Sequence, residues 1–444
     1  MKKNLNLKSF VAIFAASTLF ACTQDGIDNL PVQTEEENEA MNELPKRRTY
    51  EEALAVAQDA IGLLGENCTT RSGKPRSINT ADVQYIVNTS STRSTEEPDT
   101  MMYVFNYEDN AGFAVVSANR ATEELIAVTE QGNYVAGEET GNGGFDLYMD
   151  MAEQYVTMAA EPLPGVGGDD DGMEEFTEFR MFVDRDTITY GPYIPVRWGQ
   201  DWPYNKACPI QNGKRTKAGC VATAIAQIMT YYKHPTSMTI YDTYSVYEQD
   251  LDWTNINKHV YTESTTSTAC SQCTVSGWHN VIGALVAQIG REVNMWYTDS
   301  VSSAFSENVA SALTSFGYTC DPFRNYANTT VTSSIKSGKP VYMCGAVAGA
   351  NIGHAWIVDG YRHVHALHRE CIRPMSQLFW TELRRWTTDD YYYHINWGWN
   401  GDSNGYFLID EFDTDRSFDL DTEEYEESFD FTVQLMMYAN IRKR

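Results

Sequence analysis

Positive charge is scarce in this chain. Thirty-three Lys and Arg stand against 61 Asp and Glu, a formal charge of −28, and an excess of that size argues against a nucleic-acid partner. The acidic residues have no single location along the 444 positions, so they read as a solvated, exported surface. Long hydrophobic runs are missing as well: the apolar stretch at 10–20 is too short to span a bilayer. Nine cysteines are scattered at 22, 68, 208, 220, 270, 273, 320, 344 and 371, a distribution unlike a disulfide framework. No second Cys-x-x-Cys follows Cys270-Ser-Gln-Cys273 to complete a zinc site, which leaves a local disulfide or two free thiols. Residues 46–160 contain no histidine, so that stretch has no evident chemistry of its own.

What is present is ample for folding: 42% apolar and 12% aromatic residues, in a length that allows two to three domains. Lys2, Lys3 and Lys8, the apolar run and Leu19-Phe20-Ala21-Cys22 make an export signal over 1–21. The ending resembles a bacterial lipobox, which would make Cys22 the lipidated first residue of an exported, membrane-anchored protein on a polar tether over 22–45. A helix is expected from Arg48, with Ala53, Leu54, Ala57, Ile61 and Leu64 on one face and Gly65 as its stop. Strands at 83–87, 101–105, 112–117 and 126–128, a hairpin turn at 109–112 and a helix from Phe145 complete a small α+β domain over 46–160. The Pro, Gly and Asp of 161–172 open a linker over 161–192, where a protease could cut. In 193–444, helices at 221–232, 281–289 and 308–316 precede strands at 340–347, 354–359, 391–396 and 406–409, the order of an α+β domain with an antiparallel sheet.

The chemistry gathers around Lys217-Ala-Gly-Cys220-Val-Ala-Thr-Ala. Val221, Ala222, Ile225, Ile228, Met229 and Tyr232 recur at helical spacing, so Cys220 sits in a first helical turn. Unpaired amides and the positive end of the helix dipole favour a thiolate there. Such a nucleophile needs a base, and His354, at the head of the apolar strand in Gly353-His-Ala-Trp-Ile-Val-Asp, is the candidate. His363, His365, His368 and Cys371 fit no zinc spacing, and 361–390 reads as an exposed loop on the rim of the cleft. No metal or cofactor is implied.

Trp198-Gly-Gln-Asp-Trp-Pro-Tyr-Asn205, Ala218-Gly-Cys-Val-Ala-Thr-Ala-Ile-Ala-Gln227, Gly353-His-Ala-Trp-Ile-Val-Asp-Gly360 and His394-Ile-Asn-Trp-Gly-Trp-Asn-Gly401, in this order, resemble the streptopain family of secreted bacterial cysteine peptidases. The stretch 101–128 resembles that family's inhibitory propeptide. The resemblance implies a papain-like catalytic domain over 193–444 behind a prodomain acting as its own inhibitor. It makes Cys220 the nucleophile and His354 the base, and gives the oxyanion to Gln200 with the backbone N–H of Cys220. Asn396 would hold the imidazole and Trp397 would shield that bond, while Ser303 and Gly353 would contact the peptide. It further implies a zymogen whose prodomain holds His354 away from Cys220 until a cut at about 165–192. The same residues would serve a cell-wall peptide amidase, and a silent surface-binding lipoprotein could keep the fold alone.

Overall fold

Strands carry most of the architecture, as the many β-branched and aromatic runs require. The computed structural model describes residues 47–65, 74–87, 100–159, 177–241, 245–258, 277–298, 300–347, 353–374, 379–412 and 433–444. The export signal, Cys22, the tether, Cys68, Cys270, Cys273 and the first part of the linker lie outside them.

The N-terminal part begins with α1 (Tyr50–Leu63), whose start is fixed by a reciprocal cap between Thr49 and Glu52 and whose Ala53, Ala57 and Ala60 are buried. Strands β1 (Ile78–Val87), β2 (Thr100–Tyr107), β3 (Phe113–Ser117) and β4 (Leu125–Thr129) follow as an antiparallel meander. The β2–β3 turn bends through Asp109 and Asn110, both at positive φ, a conformation that Asp and Asn tolerate better than most residues. Helix α2 (Gly143–Met158) closes this part, its first turn capped by the Asn142 side chain accepting from the Phe145 N–H.

After β5 (Thr177–Tyr190) come the helices α3 (Cys220–Tyr232), α4 (Trp278–Glu292), α5 (Val309–Ser315) and α6 (Asn328–Lys336). They precede β6 (Val341–Val347), β7 (His354–Pro374), β8 (Thr381–Asn396), β9 (Gly405–Leu408) and β10 (Val433–Tyr438). The architecture is α+β with an antiparallel sheet. Among the described residues that sheet has eleven strands, in the order β1-β2-β3-β4-β9-β8-β7-β6-β10 with 324–325 at its end, and β5 lies alongside the far half of β7. The seam between the two parts is short: Gly405, Tyr406 and Phe407 of β9 face Thr129, Val128 and Ala127 of β4. Residues Lys46–Arg444 thus form one compact unit.

Alternation along β7 sets the layers. Trp356 and Val358 join a core shared with α1, α2 and α6 on one face, whereas Ala355 and Ile357 join the core of α3, α4 and α5 on the other. Helix α3 is buried over every residue from Val221 to Thr230, not along one face. Alanine and threonine on its remaining sides let neighbours approach closely, so it runs through the middle of the C-terminal half.

Two expectations change here. Residues 361–390 are not a rim loop: β7 and β8 continue as a long hairpin, paired from Ile357–Asn396 to Ile372–Thr381. Val364, Ala366 and His368 are buried while His365 is exposed, a period-two pattern masked in the sequence by its histidines and arginines. Nor is the linker open to Pro192, because β5 pairs with this hairpin from Thr177–Pro374 to Tyr190–Tyr361.

Buried charge reinforces the seam. Glu130, just past β4, forms an ion pair with Arg197 and lies 3.5 Å from His394 Nε2, while His394 Nδ1 is 2.6 Å from Asp359 Oδ1. Burial would favour neutral imidazole, but Asp359 and Glu130 outweigh it and push His394 up to about 9. A raised imidazole stabilises the fold fully below its unfolded value, about 6.5, and the contribution fades as pH climbs through the folded value. Thermal unfolding of the full chain between pH 6.5 and 9.5 should therefore show the midpoint falling by on the order of a few °C. Glu130→Gln should lessen that dependence and His394→Gln should remove it; a slope unchanged in His394→Gln would take His394 out of the account.

Candidate active site

Cys220 is the first residue of α3, and the glycine before it is required twice over. Gly219 has φ +88°, and a Cβ there would lie 2.6 Å from Met295 Cε and 3.2 Å from the Ser302 carbonyl oxygen. The loop ahead of the helix is pinned by the Ala218 N–H donating to the Gln200 carbonyl at 2.9 Å. Gln200, nearly buried, is thereby held beside the helix start. His354 opens β7 across from it.

Cys220 and His354 are close enough for the imidazole's charge and hydrogen-bonding capacity to act on the thiol, and the backbone at Ala355 and Val221 adds to that influence. Burial would raise the Cys220 thiol, yet the His354 charge and this hydrogen bonding outweigh it and hold the thiol below its ordinary value. Burial likewise opposes the charged imidazole. The Cys220 charge and hydrogen bond, the Trp397 carbonyl and Asp146 prevail and raise His354. His354 Nε2 lies 3.1 Å from the Trp397 carbonyl oxygen, which can only accept, so Nε2 carries a proton and Nδ1 is left to the sulfur. The pair is disposed to hold thiolate and imidazolium.

Three other thiols behave oppositely. Burial pushes Cys208, Cys320 and Cys344 up to about 11 each, the state of structural cysteines.

Asn396 does not reach the imidazole. Its Nδ2 donates to the Val196 carbonyl at 3.0 Å and to Gln227 Oε1 at 3.1 Å, and its Oδ1 accepts from the Gly398 N–H at 3.1 Å and Gln227 Nε2 at 3.2 Å. The next residue's carbonyl holds His354 instead. Trp397 is fully buried, its Nε1 donating to the Ser403 carbonyl at 2.9 Å and its ring packed on Trp356 and Phe407. Gly353 is exposed immediately before His354. Ser303 is exposed and bridged to Trp296 by two backbone hydrogen bonds, next to the Ser302 carbonyl that faces Gly219. Trp296, its partner across that bridge, and nearby Phe305 are 75% and 79% exposed.

The N-terminal part covers this site. A Cβ on Gly144, in the first turn of α2, would lie 2.4 Å from His354 Cδ2 and 2.7 Å from Trp397 Cε3, so the bare backbone rests on both rings. Phe145 adds an edge contact to Trp397 with ring centroids 6.4 Å apart. Under this cover Cys220 and His354 still act on one another's protonation. Nothing in the glycine pair Gly143-Gly144 announced this contact, which depends on a neighbour some two hundred residues away. Gln227 was also missed, although a glutamine inside an apolar helix is a signal.

Among the described residues no three His, Cys, Asp or Glu side chains are arranged to hold a metal. His363 Nε2 and His365 Nδ1 share Asp389 Oδ1 at 2.6 and 3.0 Å, while His368 turns to the opposite face and stacks on Trp386.

Comparison with known proteins supplies the frame. Residues 198–407 match the Peptidase C10 family, and residues 43–156 match the Spi protease inhibitor family. A streptopain of Streptococcus pyogenes serotype M28 is 25% identical over 351 residues, covering 70% of this chain and 74% of its own. The thiol protease/hemagglutinin PrtT of Porphyromonas gingivalis is 25% identical over 344 residues, 71% of this chain but 35% of that protein. This chain thus spans about a third of PrtT. A prointerpain A fragment from Prevotella intermedia aligns with a TM-score of 0.48 at 23% identity, over 80% of this chain and 97% of that one.

If the site is poised as described, a small alkylating agent at pH 7 should modify Cys220 at least about tenfold faster than Cys208, Cys320 or Cys344, as peptide mapping would show. His354→Ala should move the pH midpoint of that reaction upward. A midpoint that stays put would mean the imidazole does not set the thiol.

Proposed function

We propose that this chain, whose residues 198–407 match the Peptidase C10 family behind a match to the Spi protease inhibitor family over 43–156, is an exported cysteine endopeptidase made as a zymogen. The observation that carries the reading is the Cys220–His354 pair at a helix start, each lowering or raising the other's protonation, with Gly144 of the inhibitor resting on the imidazole.

In the proposed mechanism the Cys220 thiolate attacks the scissile carbonyl and the His354 imidazolium gives its proton to the leaving amine. The thioester is then hydrolysed by a water that His354 deprotonates. Gln200, with the N–H of Cys220, would donate to the oxyanion in both steps. The Trp397 carbonyl holds the imidazole in the plane needed for these transfers, while the buried Trp397 ring keeps water from that bond. Trp296, Ser303 and Gly353 would line the peptide. No step needs a metal or organic cofactor.

The domain reading follows the same lines: a signal over 1–21, a tether on lipidated Cys22 over 22–45, the inhibitor over 46–160, a linker, and the catalytic domain over 193–444. Protein or peptide substrates and the chain's own inhibitor are its partners, and the membrane is met through the lipid. A productive cut would fall before Thr177, since β5 is locked along β7 and would remain with the mature enzyme. Latency arises by covering an assembled dyad.

Purified Cys220→Ala precursor should stay at full length and leave casein intact. A variant that still matured by itself and digested casein would sink the assignment. Gly144→Ala places a methyl against the imidazole and the indole, and overlap strain of about 1–3 kcal/mol should loosen the cover. The uncut Gly144→Ala precursor should then hydrolyse a small fluorogenic peptide about tenfold or more faster than uncut wild type. Equal latency in the two would show that α2 is not what blocks the site.

A further inference from the structure

One polar side chain at the heart of the catalytic half has no part in the mechanism above. Gln227 lies on α3 seven residues beyond Cys220, about two helical turns, so both project toward the same side of the helix. It is wholly buried. Its Oε1 accepts from the Trp198 N–H at 2.9 Å and from Asn396 Nδ2 at 3.1 Å, and its Nε2 donates to Asn396 Oδ1 at 3.2 Å.

Each partner leads to a different part of the site. Trp198 begins the Trp-Gly-Gln segment that ends at Gln200. Asn396 ends β8 and is followed by Trp397, whose carbonyl accepts from His354. The helix itself carries Cys220. One amide therefore joins nucleophile, oxyanion donor and imidazole holder, without approaching the reacting atoms.

A packing role would be filled by any side chain of this volume. The reciprocal bonding with Asn396 demands more, because one group must both donate and accept at fixed points, and the Trp198 N–H needs a second acceptance. An apolar substitute would leave a buried N–H and a buried amide without those partners, and the strands would be free to shift against the helix. Displacements of about 1 Å are enough to cost on the order of a hundredfold in rate.

We propose that Gln227 is a positioning residue that sets the Cys220–His354–Trp397 geometry by tying α3 to the Gln200 segment and to the end of β8. This rests on the peptidase reading for its kinetic consequence but not for its geometric one. Glutamic acid in its neutral form can still donate to Asn396 Oδ1 and accept from the other two partners. Ionised glutamate cannot donate. Burial raises the carboxyl's pKa, so the neutral form persists at low pH and is lost as pH rises.

The test compares wild type, Gln227→Glu and Gln227→Met. In the full-length chain Cys220 keeps part of its surface exposed, so iodoacetamide alkylation mapped to that residue reports the thiol independently of turnover. The Gln227→Met midpoint should rise toward that of an ordinary thiol. Precursors converted with a trace of tagged wild-type enzyme, later removed, give kcat and KM on a fluorogenic peptide. Gln227→Met should lose about tenfold to a hundredfold in kcat with KM within about twofold. Gln227→Glu should recover most of kcat near pH 5 and lose about tenfold or more by pH 8, a dependence absent from wild type. Variants that keep the wild-type alkylation midpoint and pH profile, and only unfold at lower temperature, would overturn the proposal. Wild type that alkylates as described but cleaves no peptide would instead overturn the peptidase reading.

Discussion

A thiolate and an imidazolium placed side by side inside a protein must be stabilised by dipoles that are already in place, because water is not there to reorganise around them. This requirement organises the catalytic half. The backbone at Val221 and at Ala355, one on the helix and one on the sheet, favours the charged sulfur. The imidazole gives its other proton to the Trp397 carbonyl. None of these dipoles belongs to a mobile side chain. Their positions are consequences of how closely α3 lies on the sheet, and Ala222, Thr223, Ala224 and Ala226 set that approach.

The same sheet explains how the inhibitor reaches the site. Strands β1 to β4 extend it through β9, and α1 and α2 share an apolar core with Trp356, Val358 and Phe407. The inhibitor is thus aligned by backbone pairing and by burial before any contact with the dyad is made. Its final approach needs only a residue without a side chain. Covering an assembled pair differs physically from pulling it apart, since no catalytic hydrogen bond has to form when the cover leaves. The Glu130, Arg197 and His394 cluster places ionic attraction at the edge of the same seam.

Much of this was legible from residues alone. The helix behind Gly219, the strand behind His354 and the order of helices before strands all follow from local patterns of spacing. Contacts between distant segments were not legible. Asn396 lies next to the acceptor of the imidazole proton, but choosing between its side chain and the following carbonyl requires the curvature of the turn after β8. The 361–374 strand hid its alternation behind polar residues such as His368, which is buried by stacking on Trp386. β5 could not be read as a strand while its partner was taken for a loop. Glu130 and His394 acquire meaning only together.

The three-residue junction at β4 and β9 also determines what the enzyme becomes once it is free. Departure of the inhibitor leaves one side of β9 with unpaired backbone groups, and it uncovers Phe407, which packs on Phe145 and Tyr148 in the full chain. Such an edge is a template on which another chain can pair. At four residues, β9 offers little length for that pairing. An inhibitor attached this way also caps that short edge for as long as it remains in place.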